Sequence, residues 1–360
     1  MALELWTHDA WTGDELERVD RYAVEAGTDW STNIGGTGES SWPMHAGYGA
    51  EALTGQRLDE LFKGGARLLS LRWGSTVLGA WKTESWDYGD TDGVAIVKAV
   101  ELRSEWKWRK TYGVDAYEAG TLTVTNRSHA GAVRAVLERW MQYGNPDWRY
   151  PVDLPADEGG SFSQTWEFWK KLTIEDLISQ IEAEGYEVVL RPYLTAGRQL
   201  RFQTLVAQRV RVGLSSFKLH DADSPLGGVR YMKTSAEQIT GAQGAGAGTG
   251  QDQPVRWAGA GPYDIPIRDA GRKFPDLDGD RLQAATNAWY AQSRNPAAQW
   301  TVGSFTLSDD HPAEDVTLAR GWELEVVGHP VFPLGIHPLR LVAVSGSWST
   351  QVKTEVQGVV

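Results

Sequence analysis

Cysteine is absent from this 360-residue chain. That absence removes disulfide frameworks, thiolate nucleophiles, iron–sulfur clusters and cysteine-ligated zinc together. Long apolar runs are missing as well, none approaching the roughly 18 residues of a membrane-spanning helix. The opening Met1-Ala2-Leu3-Glu4-Leu5 carries neither a basic region nor an apolar segment, so neither a membrane span nor a secretory signal is expected, and synthesis in the cytoplasm is. Basic charge is in deficit: 35 Lys and Arg against 47 Asp and Glu leave a net charge of −12 with His neutral. A surface of that sign does not grip phosphate backbones over its whole extent. Glycine and proline, at 40 and 15 residues, stay below the roughly 25–30% of low-complexity chains, which excludes collagen-like and wholesale disordered architectures.

Tryptophan is abundant: 18 residues beside 12 Tyr and 8 Phe, as expected of strands packed by large flat side chains or of a sugar-stacking surface. With 41% hydrophobic and 23% charged residues, the length fits two or three globular domains. The best hairpin signal is Leu68–Trp73 and Thr76–Trp81 around the Gly-first turn Gly74-Ser75. Val94–Val100 continues the β pattern, whereas residues 27–50, with Gly35-Gly36, Gly38, Pro43, Gly47 and Gly49, read as a loop crossing. Val133, Val136, Leu137, Trp140 and Met141 have helical spacing, stopped by Gly144-Asn145-Pro146. A second helix is capped by Thr173, striped by Ile174, Leu177, Ile178 and Ile181, and ended by Gly185, before a strand at Tyr186–Leu190. Gly241–Gly250 reads as a flexible loop or linker. A helix around Leu282, Ala285 and Trp289 leads to strands at Trp300–Leu307, Trp322–Val326 and Leu339–Val344. The expected order is a β domain (1–105), an inserted α+β domain (106–205), return strands with the Gly-rich loop (206–250), a loop and helix (251–298) and a second β domain (299–360).

Each candidate for chemistry has a plainer reading that is favoured. Asp276-Leu277-Asp278-Gly279-Asp280 opens like a calcium loop, but Arg281 and Asn287 stand where an EF-hand needs Gly and Glu, leaving an acidic turn that caps a helix. The Gly-rich run has no G-x-G-x-x-G register and no P-loop occurs. His329 and His337 bracket Pro330–Ile336 without a third metal ligand and read as structural histidines. Trp86-Asp87-Tyr88 and Trp166–Trp169 set acids beside rings, as a glycosidase or lectin would, yet alternation along a strand accounts for them. No G-x-S-x-G elbow is present. No catalytic, cofactor-binding or metal-binding residue is nominated, and no cofactor is expected.

Three ordered blocks carry a family resemblance: Leu69–Gly74 with Val77–Trp81; Gly185–Pro192; and Trp322–Val327, His329–Gly335 and Arg340–Gly346. With their spacing they make the chain resemble the tail-hub minor tail proteins of siphophages that infect actinobacteria. The resemblance implies a mainly β fold with an α+β insertion, its two β domains being small β-barrels in a baseplate-hub-like arrangement. It implies a homotrimer beneath the distal tail protein ring, the tape measure protein inside, other minor tail and fibre proteins below, and DNA passing without specific binding. The location would be the virion's distal tail tip. Because the sequence stops at Val360, where the second barrel should close, receptor binding and wall degradation are expected of other proteins. An acidic lumen that repels phosphate is consistent with this role. Trp73, Trp81 and Trp322 are the expected barrel-packing residues. The alternatives are a carbohydrate-binding tail adhesin using the Trp-rich surface and a wall hydrolase using paired carboxylates.

Overall fold

The computed structural model describes residues 2–48, 52–113, 117–142, 149–219, 221–259, 261 and 265–358. The first β-rich part contains β1 (Leu3–Asp9), β2 (Glu15–Arg18), β3 (Asp29–Asn33), β4 (Glu39–His45), α1 (Gly55–Phe62), β5 (Arg67–Trp73), β6 (Thr76–Gly89) and β7 (Val94–Glu101). An α+β insertion follows, with β8 (Leu122–Arg127), α2 (His129–Gln142), β9 (Val152–Asp153), β10 (Phe162–Trp166), α3 (Ile174–Glu182), β11 (Glu187–Leu194) and β12 (Leu200–Ala207). The chain returns through β13 (Val212–Lys218), β14 (Leu226–Gly227) and β15 (Arg230–Thr234), then β16 (Gly241–Ala245), β17 (Val255–Gly259), β18 (Asp269–Lys273) and α4 (Gly279–Ser293). It finishes with β19 (Ala297–Thr306), β20 (Arg320–Val326), β21 (Gly335–Gly346) and β22 (Gln351–Gly358).

Local chemistry explains the elements that the sequence signals. Gly74 takes φ +62°, so Trp73 pairs Thr76 across a two-residue turn and β5–β6 continues to Leu68 opposite Lys82. Helix α3 begins with a capping box: the Thr173 hydroxyl accepts from the Asp176 amide at 3.1 Å, and the Asp176 carboxylate accepts from the Thr173 amide at 2.7 Å. Gly185 takes the left-handed φ of +94° that releases the chain into β11. The proposed stop for α2, Gly144-Asn145-Pro146, lies outside the described residues.

Two stretches expected to be loops are strands. Residues 27–50 hold β3 and β4, and Pro43 is tolerated within β4 because the β3 ladder ends at Asp29–Ser41 and Trp30–Ser40, so no amide is needed there. Gly241–Ala245 is β16, the centre of a three-stranded sheet between β17 and β18. Small residues in it and directly after it admit α4: a methyl group at Gly244 would overlap Thr286, and one at Gly246 would meet Leu282 at 2.8 Å.

The largest sheet has fourteen strands, in the order β14-β19-β22-β21-β3-β4-β7-β6-β5-β1-β2, with β15 on β19 and β20 joining β13 to β21. This corrects the expectation of two small β-barrels: among the described residues no sheet closes on itself. The physical cause is β21. One of its edges is taken by β22, while the other pairs β20 through Gly335–Arg340 and then β3 through Ala343–Gly346. The β3 edge, which would have to meet β2 to close the first part, is therefore already used. One core cluster spans both parts, with Trp30, Trp42 and Trp81 from the first and Trp300, Phe305 and Trp322 from the second. A second cluster joins Val133, Val136, Leu137, Ile174, Leu177, Ile178, Trp106 and Trp166 of the insertion to Leu68, Val77 and Ala80 of the first part.

Candidate functional site: an apolar hairpin tip on a charge-braced framework

Strands β20 and β21 form a hairpin whose tip runs from Val327 to Leu334 and carries no charged side chain. Apolar groups there face solvent: Val327 is 72% exposed, Val331 80%, Leu334 63% and the adjoining Ile336 62%. Such a patch is a signature of association when its shape is fixed beforehand. Here it is fixed. The His329 Nδ1 accepts from the amides of Val331 (3.2 Å) and Phe332 (2.8 Å), which assigns its neutral-form proton to Nε2. The imidazole stacks on Phe332 at 4.1 Å, and Phe332 meets the Trp300 edge at 5.4 Å. The His337 Nε2 donates to the Pro333 carbonyl at 2.7 Å, and its ring lies 5.0 Å from Trp300. Both histidines thus shape the turn from within.

Ionic clusters elsewhere join the insertion to the sheet. Arg103, just after β7, reaches α3: it donates to Glu175 at 2.8 Å, to Glu182 at 2.7 and 2.8 Å, and to the Val188 carbonyl at 3.3 Å. Arg340 on β21 forks onto Glu187 of β11 and donates to Gln357 at 2.6 Å. Arg198, in the β11–β12 turn, donates to Glu15 of β2 at 2.9 Å, and the same carboxylate receives the buried Arg72 at 2.5 Å. Arg72 also donates at 2.8 Å to the Nε2 of His8, whose Nδ1–H is held by the Gly13 carbonyl at 3.1 Å. Burial, reinforced by the Arg72 charge, lowers His8 to about 4, so the ring is neutral. Bidentate arginine–carboxylate contacts fix orientation as well as distance, which makes them suited to setting one subdomain on another.

Trp73, Trp81 and Trp322 are all buried. Trp81 lies 6.0 Å from Trp30 and 5.9 Å from Trp42 and donates to the Ser31 carbonyl at 2.8 Å. Trp322 meets Phe217 at 5.1 Å and donates to the Asp315 carbonyl at 2.6 Å. Trp73 belongs to the same cluster. Of the acid–aromatic runs, Trp86 and Tyr88 are half-buried around an exposed Asp87, and Trp166 is buried whereas Trp169 is 58% exposed. Asp278 occupies the N-cap position of α4 without a side-chain capping bond. The braces escaped sequence reading, although Arg72 within the apolar run of β5 was a visible signal for a buried partner.

No family model matches the sequence, and no curated relative matches it. Among solved structures, the chain is similar to a tail protein from Neisseria meningitidis MC58, with 11% identity, 99% of this chain and 97% of that one covered, and a TM-score of 0.58. It is similar to the 43 kDa tail protein of prophage MuSo2 from Shewanella oneidensis, with 11% identity, 98% of each chain covered and a TM-score of 0.61. A third is prophage tail protein gp18 from Listeria monocytogenes, with 11% identity, 98% of this chain and 94% of that one covered, and a TM-score of 0.51. At these identities the likeness is one of fold: mainly β with α+β insertions, shared with tail proteins across nearly the whole chain.

Proposed function

We propose that this chain is a structural, non-enzymatic part of a phage-type virion, placed at the distal tail tip as a homotrimeric hub between the tube and the tip proteins. The observation that carries this reading is the likeness to tail proteins over nearly the full length of both partners. On this reading residues 1–105 and 299–360 supply the tube-facing β parts, 106–205 an insertion directed away from them, and 206–250 and 251–298 the connection. Trp73, Trp81 and Trp322 stiffen the framework, and the Val327–Leu334 tip packs on a neighbouring subunit. The distal tail protein ring, the tape measure protein and other minor tail or fibre proteins are the neighbours, and DNA passes without specific binding. The net charge of −12 favours passage over retention.

Light scattering of the purified protein across a concentration series tests the reading, with and without the tube protein. A trimer, alone or on the tube protein, is the expected result; a monomer under both conditions overturns the hub. The exposed indoles of Trp108, Trp169 and Trp257 favour carbohydrate adhesion as the second reading. Glycan-array binding that is lost when those residues become alanine would move the assignment there.

A further inference from the structure

Two short runs of the insertion, residues 106–113 and 168–174, hold five cations and no acid: Lys107, Arg109 and Lys110 in the first, Lys170 and Lys171 in the second. The fold sets the runs side by side. Lys110 pairs Thr173 in an antiparallel bridge, the Ile174 amide donates to the Arg109 carbonyl at 2.9 Å, and the Lys110 ammonium donates to the Lys171 carbonyl at 2.8 Å. Aromatic rings extend from the same place. Tyr112 meets Tyr117 edge-on at 4.9 Å, Tyr117 meets Phe168 at 4.9 Å, and Phe168 meets Trp169 at 5.2 Å. Arg139 of α2 holds the surrounding backbone by donating to the carbonyls of Thr111 at 3.2 Å and Ala119 at 3.0 Å. On this fixed base Trp169 is 58% exposed, and Trp108, next to Arg109 in the chain, is 81% exposed.

The cations are not neutralised from within. Glu105 accepts from Lys82 and from the Tyr150 hydroxyl, Glu167 from the Thr121 hydroxyl, Glu175 from Arg103, and Asp176 from the Thr173 amide. Glu118 faces solvent, and Asp115 lies outside the described residues. Among the described residues none of the five cations forms an ion pair with a carboxylate. In a chain of net charge −12 this is a local reversal of sign. Four of the five are lysines, compact charges on flexible stems that follow any dense anionic surface, whereas arginine forks suit one fixed oxyanion. Lysine at phosphate level beside tryptophan at headgroup level is the composition of an interfacial anchor. The carbohydrate reading uses the same two indoles but gives the cations no task.

We infer that this face of the insertion binds the surface of an anionic bilayer, with the lysines on lipid phosphates and Trp108 and Trp169 in the interfacial layer. The inference goes beyond the hub role and does not rest on it.

The test is co-sedimentation of the full chain with vesicles of phosphatidylcholine alone and of phosphatidylcholine with about one-third phosphatidylglycerol, as sodium chloride rises from about 0.05 M to about 0.5 M. Binding to the anionic vesicles that weakens with salt is expected. Lys170→Gln with Lys171→Gln should lower the partition coefficient about 30-fold, a factor of about five for each lysine, and flatten the salt dependence. Trp169→Ala should weaken binding at every salt concentration and leave that dependence in place, since insertion of the ring is not screened. These side chains are exposed, so thermal midpoints should stay at the parent value. Lys233→Gln with Lys353→Gln, exposed lysines elsewhere, should leave binding unchanged. Equal partition into both vesicles, or an equal loss in the two lysine pairs, overturns the inference. Retention on an oligothymidylate column in place of vesicles would transfer the face to single-stranded nucleic acid and overturn the lipid assignment.

Discussion

His8 and Glu101 are displaced in opposite senses by one cause. Burial lowers the His8 imidazole to about 4, with help from Arg72, and raises the Glu101 carboxyl to about 7 against the pull of the Thr32 hydroxyl and the Gly38 amide. Neutral His8 contributes stability that is complete above its ordinary 6.5 and is lost as pH falls towards 4. Protonated Glu101 contributes stability that is complete below its ordinary 4.5 and is lost as pH rises through 7. Each effect spans about 3 kcal/mol, and between roughly pH 4.5 and 6.5 the two slopes oppose one another. Glu101→Gln, which keeps an acceptor for Gly38, should leave stability unchanged at pH 4 and increase it by about 3 kcal/mol at pH 8. It should also expose the rising His8 limb near pH 5–6. Urea midpoints across that range measure both effects, and a flat difference between variant and parent would contradict the assignment.

At the scale of elements, close approach and capping carry separate weights. Thr173→Ala removes one half of the α3 capping box and should cost about 1 kcal/mol in urea denaturation. Gly244→Val should do more, since a side chain there meets Thr286, with Phe274 at 3.3 Å, and separates α4 from β16. Loss of amide protection confined to α4 and β16–β18 is the expected hydrogen-exchange result. The hairpin tip behaves differently. Val331→Ser with Leu334→Ser alters exposed groups, so the unfolding free energy should move by less than about 0.5 kcal/mol while subunit association weakens. Thermal melts paired with light scattering separate the two effects.

For the whole molecule, one core serves both ends of the chain. Trp81→Ala removes contacts to Trp30 and Trp42 and should destabilise by roughly 3–5 kcal/mol. Because β21 ties β3 to β20 and β22, the loss should appear equally in β4–β7 and in β19–β22 when exchange is followed strand by strand. Unequal loss would mean that the two parts unfold independently.

Much of this architecture was legible in local pattern. The Gly74-Ser75 hairpin, the Thr173 cap, the Gly185 exit and the structural role of His329 and His337 follow from turn geometry, hydrogen-bonding chemistry and periodicity, which act over a few residues. Strands β4 and β16 were hidden because glycine and proline usually mark loops, and here they serve an open strand edge and a close helix. The braces were not legible, since their members come from separate elements with no fixed spacing. The sequence by itself determined which segments are extended or helical and which faces are apolar, because backbone sterics and burial impose short periods. Only the tertiary structure decided that β21 divides one edge between β20 and β3, because a strand's free amides and carbonyls accept any neighbour whose register buries the right face. That choice made one open sheet in place of two closed ones.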